Sequence, residues 1–191
     1  MSDTKNLKSL GGGTSGFKTW QAVIKKFKEL NVCQEALDIL IERTTSQPKL
    51  LETFDNQHLD NLHLIPFIQP NIEFTSLCPL TGQPDFAALE IIYVPNEKMI
   101  ESKSLKLYIT SYRNEGSFHE DVCNKIANDL FNLLQPKYLR VYGDFVSRGS
   151  LAIKPMVEKW DADSVDSYGN EDLERFSIRA LVNQYDLKVK K

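Results

Sequence analysis

Phe74-Thr75-Ser76-Leu77-Cys78-Pro79-Leu80-Thr81-Gly82-Gln83-Pro84-Asp85-Phe86 runs directly into Ala87-Ala88-Leu89-Glu90-Ile91-Ile92-Tyr93-Val94. The first residues form a β-type run that ends in a cysteine. Pro79, Gly82 and Pro84 cannot continue a ladder, so a shaped loop follows with a thiol at its mouth. From Phe86 to Val94 the chain is a strand again. Ala88, Glu90, Ile92 and Val94 alternate with Ala87, Leu89, Ile91 and Tyr93, and both sets are largely apolar, which marks a central strand.

On the N-terminal side, Leu62 to Ser76 reads as extended, with Pro66 and Pro70 restricting its first part to a sheet edge. Leu50 to Phe54 reads as a short helical turn. Further back, Phe17, Trp20, Val23, Ile24, Phe27 and Leu30 follow helical spacing, Asn31 interrupts, and Ala36, Leu37, Leu40 and Ile41 form a second stripe. This predicts a helical hairpin over 17–45, its aromatic stripe a packing surface. Gly11-Gly12-Gly13-Thr14-Ser15-Gly16 lacks the Lys and Ser/Thr of a phosphate loop and reads as a lead-in.

On the C-terminal side, Pro95-Asn96-Glu97 is a turn. Ser102 reads as an N-cap with Lys103 at the first helical position, and Leu105, Tyr108, Ile109 and Tyr112 lie on one helix face. Ser117 and Glu120 fit a capping box opening a second helix, whose apolar face is Val122, Ile126, Leu130, Leu133 and Leu134. Tyr138 to Phe145 is a strand, Ser147-Arg148-Gly149-Ser150 a turn, and Leu151 to Lys154 a short strand completing a hairpin. An acidic loop over 161–172 precedes a final helix from Leu173 to Tyr185. The order from residue 62 is strand, strand, helix, helix, strand, strand. That predicts an α+β domain: an antiparallel sheet with two helices on one face, whose open edges favour assembly into a ring.

The net charge of −3 excludes the broad basic surface of nucleic-acid binders. Three cysteines without framework spacing point to a reducing compartment rather than a disulfide scaffold. The polar N-terminus has no signal-peptide core and no stretch is a membrane span, so a cytoplasmic protein is expected.

Two clusters carry chemistry. Cys78 with Asp85 seven residues on is the minimum set for a thiolate nucleophile with proton delivery; equally, Cys78 reads as a small buried hydrophobe and Asp85 as a turn residue. Lys103 and Lys106, one turn apart at a helix N-terminus, suit a phosphate; equally, they solvate an exposed face. His58 and His63 read as surface residues.

Taken together, Phe-Thr-Ser-Leu-Cys-Pro-x-Thr-Gly-Gln-Pro-Asp-Phe-Ala, Glu-Ser-Lys-Ser-x-Lys at 101–106 and Phe-His-Glu at 118–120 resemble the NADPH-dependent 7-cyano-7-deazaguanine reductases, the nitrile reductases of queuosine biosynthesis. The resemblance covers roughly residues 50–160. It implies a tunnelling fold with a four-stranded antiparallel sheet, flanked by an N-terminal helical extension at 1–49 and a C-terminal loop and helix at 161–191. It implies that Cys78 attacks the nitrile carbon to give a thioimide and that Asp85 protonates the nitrogen. Ile100, Glu101 and Ser102 would line the base pocket, and His119 and Glu120 would hold the deazaguanine edge. Ser102, Lys103, Lys106, Arg148 and Gly149 would contact NADPH, and no metal is implied. A ring-shaped homo-oligomer with sites between subunits would follow. The sequence departs from the family at Ser150, which replaces the second glycine of Arg-Gly-Gly, and at Val122, which replaces a cysteine of some relatives. A disulfide between Cys78 and Cys123 is therefore not assumed. The rival readings are a zinc-dependent pterin-type cyclohydrolase using Cys78, His119 and Cys123, an amidinotransferase relative acting on the same nitrile, and a non-catalytic assembly protein.

Overall fold

A computed structural model describes residues 48–161 and 173–189. The helical hairpin expected over 17–45 and most of the acidic stretch at 161–172 lie outside these described residues. The strands are β1 (Thr53–Asp55), β2 (Ile65–Ile68), β3 (Phe74–Leu77), β4 (Pro84–Val94), β5 (Lys98–Ile100), β6 (Tyr138–Phe145) and β7 (Met156–Trp160). The helices are α1 (Ser102–Thr110), α2 (His119–Leu134) and α3 (Leu173–Val189).

The long strand β4 is the centre of an antiparallel sheet. β6 pairs along it from Ala87↔Phe145 to Val94↔Tyr138, and β7 pairs the outer edge of β6. The other edge of β4 is shared by two strands. β2 covers Glu90 to Tyr93 and β3 covers Pro84 to Ala87. Pro70 has no N–H with which to continue one strand across both halves. Gln69 bridges the gap: its N–H donates to the Leu89 carbonyl (2.9 Å), and its side-chain oxygen accepts from the Leu89 N–H (3.0 Å). Five strands thus fill the four positions expected of the sheet. β1 and β5 pair separately as a small two-stranded ribbon.

Alternation along β4 sorts its side chains. Leu89, Ile91 and Tyr93 join the larger core with α1 and α2, through Leu105, Tyr108, Val122, Ile126 and Leu130. Each such fully buried aliphatic side chain contributes about 1.5–3 kcal/mol. Both helices therefore lie on one face, as expected. On the opposite face Ile92 and Val94 pack with Tyr138, Ile178 and Val182, so α3 covers that side. Arg140 fixes it there: its guanidinium, 6% exposed, donates to both oxygens of Asp186 (2.8 and 2.7 Å) and to Glu90 (2.9 Å).

Several local expectations change. The N-cap of α1 is Glu101, not Ser102; its carboxylate accepts from the N–H groups of Lys103 (2.8 Å) and Ser104 (2.6 Å). The longer carboxylate reaches two orphan amides where a serine reaches one. The Ser117–Glu120 capping box does not form, because α2 is entered through Phe118 with no side-chain cap. Leu151 to Lys154 is not a strand: Leu151 makes only an isolated bridge to Arg148, and pairing resumes at Met156. Residues 48–50 form a 3-10 turn, and Thr53–Asp55 is strand rather than helix.

Candidate active site

The loop after β3 is closed by two backbone bonds. The Cys78 N–H donates to the Gln83 carbonyl, and the Gly82 N–H donates to the Cys78 carbonyl, both at 2.8 Å. Gly82 takes φ +68°, a left-handed conformation that a side chain would strain. The loop leaves Cys78 half-buried and surrounded by donors. Burial opposes ionisation of its thiol. The Thr81 hydroxyl, the amides of Thr81 and Leu80 and the Arg148 guanidinium outweigh that and bring the pKa down to about 7.

Asp85 sits opposite Ser76 at the start of β4, on the helix-covered face, and is 3% exposed. Both its oxygens are engaged. Arg148 Nη1 donates to Oδ1 at 2.5 Å, and His119 Nε2 lies 3.2 Å from Oδ2. An ionised carboxylate only accepts, so Nε2 carries the hydrogen of that contact. His119 Nδ1 is buried without a partner among the described residues.

The fold delivers His119 to this point through β3. The Leu77 N–H donates to the Glu115 carbonyl (2.9 Å) and the Ser117 N–H to the Leu77 carbonyl (3.0 Å), so the entry to α2 is stitched to the end of the thiol-bearing strand. The imidazole then stacks on Phe145 with centroids 4.0 Å apart and planes 11° from parallel. Gly143 makes room for that ring: a Cβ there would lie 2.7 Å from Phe145 Cε2 and 2.9 Å from Cys123 Sγ.

Arg148 reaches the cluster from a tight turn. Its N–H and carbonyl bond Leu151 reciprocally (2.9 and 3.2 Å), and both central residues, Gly149 (φ +58°) and Ser150 (φ +68°), are left-handed. The geometry is that of a type I′ hairpin turn, which favours glycine. Ser150, which replaces the second glycine of Arg-Gly-Gly, thus occupies a strained position.

The structure brings Cys78, Asp85, His119 and Arg148 together. It places the remaining expected residues elsewhere. Glu120 is exposed on the first turn of α2, beside His119. Gly149 is exposed in its turn. Ile100 packs in the core, 4% exposed, its N–H bonded to the Tyr93 hydroxyl (3.2 Å). Lys103 and Lys106 are exposed on α1. The amides of Lys103 and Ser104 are taken by Glu101, so free helix-terminal N–H groups do not add to those lysines as expected. Ser102 and Lys106 line a cavity of about 330 Å³ between α1 and the sheet, with Phe67, Leu89 and Ile91 as its floor and Arg113 at its rim. A floor of that kind with cationic side chains suits an aromatic group carrying phosphate. No hydrogen bond or ion pair joins Ser102, Lys103 or Lys106 to the thiol cluster among the described residues.

Cys123 is not placed as a metal ligand with Cys78 and His119. It is fully buried against Gly143, and burial first, with the Glu120 charge second, pushes its thiol up to about 12. Both described cysteines are free thiols. Among the described residues no three His, Cys, Asp or Glu side chains form a group able to hold a metal.

Comparison with known proteins agrees with the motifs. A family model described as QueF-like protein matches residues 84–164. An NADPH-dependent 7-cyano-7-deazaguanine reductase of Neisseria meningitidis is 57% identical over 108 residues, covering 56% of this chain and 68% of the relative. Reductases of the same name from Staphylococcus epidermidis (57% over 109 residues) and Streptococcus mutans (58% over 106 residues) are matched over 57% and 56% of this chain and 64% of each relative. A crystal structure of the archaeosine synthase QueF-Like in the apo form aligns with TM-score 0.46 and 18% identity, over 50% of this chain and 92% of that one. Identity of this order, sustained over more than two thirds of the Neisseria enzyme, means that the chain belongs to the NADPH-dependent 7-cyano-7-deazaguanine reductase family.

Proposed function

We propose that this protein reduces the nitrile of 7-cyano-7-deazaguanine to the aminomethyl group of 7-aminomethyl-7-deazaguanine, as a step of queuosine tRNA-modification biosynthesis. The observation that carries the reading is a half-buried thiol with a pKa near 7 beside a buried Asp85 held by Arg148 and His119. A thiolate is the nucleophile that an electron-poor nitrile carbon takes. Cys78 Sγ bonds that carbon as one C–N π bond opens, and the nitrogen takes a proton through Asp85, whose carboxylate passes on the hydrogen that His119 Nε2 holds against it, giving the thioimide. His119, on the second oxygen of Asp85, is placed to restore that proton. NADPH, when bound, supplies the two hydrides that the conversion from nitrile to amine requires. Glu120 and His119, adjacent at the head of α2, hold the amidine-like edge of the base. Lys103, Lys106, Ser102, Arg148 and Gly149 meet the cofactor, and Ile100, Glu101 and Ser102 form the wall of the base pocket.

Among the described residues no hydrogen bond or ion pair joins Ser102, Lys103 or Lys106 to the thiol cluster. This favours a ring-shaped homo-oligomer in which the two come together across a subunit boundary, built on the exposed sheet edges. No described helix is long and apolar enough to cross a membrane. A nucleophile that must stay reduced places the enzyme in the cytoplasm.

The test is loss of NADPH absorbance on addition of 7-cyano-7-deazaguanine. Wild type turns over and Cys78→Ala does not; turnover undiminished in Cys78→Ala overturns the reading. Lys103→Ala weakens NADPH binding and leaves thioimide formation intact. Equal loss of both would remove the lysine from the cofactor site.

A further inference from the structure

A role at the cofactor leaves the direct contacts of Arg148 unexplained. Its Nη1 lies 2.5 Å from Asp85 Oδ1 and its Nη2 lies 3.5 Å from Gln83 Oε1, the residue whose carbonyl accepts from the Cys78 N–H; the same guanidinium is one of the groups that lower the Cys78 pKa. A guanidinium is a rigid planar fork, so one side chain fixes the separation and orientation of the groups it bridges. We infer that Arg148 is a positioning residue for the nucleophile: its guanidinium is the shared counter-cation that holds Cys78 as a thiolate and points one oxygen of Asp85 away from His119, leaving the other to it.

Three observations support this. The first is the charge balance. Asp85 is 3% exposed, and a buried carboxylate needs a cation. His119 is charged only when protonated, whereas Arg148 is always charged. Among Cys78, Asp85, His119 and Arg148 the arginine is the one permanent cation; of the neighbouring charged groups, Lys125 is paired with Glu115, Glu120 lies exposed beside His119, and Arg113 is on the turn packed against β3. The second is the backbone. A non-glycine residue at φ +68° is strained, and such strain persists where the surroundings require it. Here the strained turn is the device that brings residue 148 back over the sheet. The third is the anchoring. The Val146 N–H donates to the Phe86 carbonyl at 2.9 Å, extending the β4–β6 ladder to within two residues of the arginine. The guanidinium therefore springs from a fixed base, next to the strand that carries Asp85.

The inference deepens the proposed function and rests on Cys78 being its nucleophile, but its test requires neither substrate nor cofactor. The alkylation rate of Cys78 by iodoacetamide is followed by peptide mass spectrometry from pH 5.5 to pH 9.5. In wild type the rate is half-maximal near pH 7. In Arg148→Met the midpoint rises by about one pH unit, slowing alkylation roughly tenfold below both midpoints. Arg148→Lys recovers part of that shift, because it keeps the charge and loses the fork. Circular dichroism confirms that each variant is folded, and a purely structural ion pair would move stability without moving the thiol midpoint. An Arg148→Met profile that superimposes on wild type, or an Arg148→Lys profile no different from Arg148→Met, overturns the inference. Either result leaves the nitrile-reductase reading to be judged by turnover alone.

Discussion

Gly143 lies on β6, one strand away from the thiol loop, yet it sets the position of a functional side chain. In Gly143→Ala the new methyl would sit 2.7 and 3.1 Å from the Phe145 ring and 2.9 Å from Cys123 Sγ. Comfortable carbon contacts begin near 3.5 Å, so nearly 1 Å of room must be found on two sides at once. Phe145 cannot yield alone, because its other face carries the His119 ring at 4.0 Å. Cys123 cannot yield alone either, being fully buried in α2. Overpacking of this kind costs about 1–3 kcal/mol. For a chain of this length each kcal/mol lowers Tm by roughly 2–4 °C. Displacing His119 moves the partner of Asp85, and an error near 1 Å in a reacting geometry reduces turnover by up to ~100-fold. Thermal melts and NADPH oxidation with the nitrile measure the two effects separately. Adding Cys123→Ala to Gly143→Ala removes one of the two obstructions and restores part of both. A variant that melts and turns over like wild type would refute the claim that this close approach holds the site, as would a double variant no better than the single.

Ser150→Gly relieves a left-handed serine and raises stability by about 1 kcal/mol in denaturant titration, with the Cys78 alkylation midpoint unchanged. At pH 7.5 iodoacetamide modifies Cys78 and leaves Cys123 intact, since the first thiol has its midpoint near 7 and the second near 12; alkylation of Cys78 falls as pH drops through 7, because its thiolate is then lost. Arg140→Leu leaves Glu90 and Asp186 without their buried cation and costs about 3–5 kcal/mol. Limited proteolysis then cuts first within α3, whose anchor has gone.

The long central strand was legible because Phe86 to Val94 combines length with two apolar faces, a pattern that no surface element shows. The helix from His119 was legible from its i, i+4 stripe, and Cys78 as a loop-mouth thiol from the prolines and glycine around it. Tertiary contacts decided the rest. Three-residue strands such as Lys98–Ile100 carry too little pattern to register, and this one exists because Thr53–Asp55 pairs with it. Glu101 outcompetes Ser102 as cap through the reach of its side chain, a difference the composition rule does not see. The hairpin partner slipped from Leu151 to Met156 because pairing on β6 restarts only at Tyr142. Gly143 gave no signal of its own, since a glycine within a strand states a need for space without naming the neighbour. The Arg148–Asp85 pair spans 63 residues, and no local spacing encodes it. Thr81 and Leu80 were the helpers of the thiol that lay in plain view, inside the stretch that carries Cys78.

The cluster at Asp85 draws its members from four separate segments, and only the completed β4–β6 ladder and the β3 stitch to residues 115–117 bring them within bonding distance. Contacts so far apart along the chain form late in folding, after the entropy of closing long loops has been overcome. A half-assembled polypeptide therefore carries an ordinary, sluggish cysteine. Nascent or damaged copies react more slowly with electrophiles near neutral pH, and the rate at which residue 78 is tagged becomes a gauge of how much of a preparation has reached its finished form.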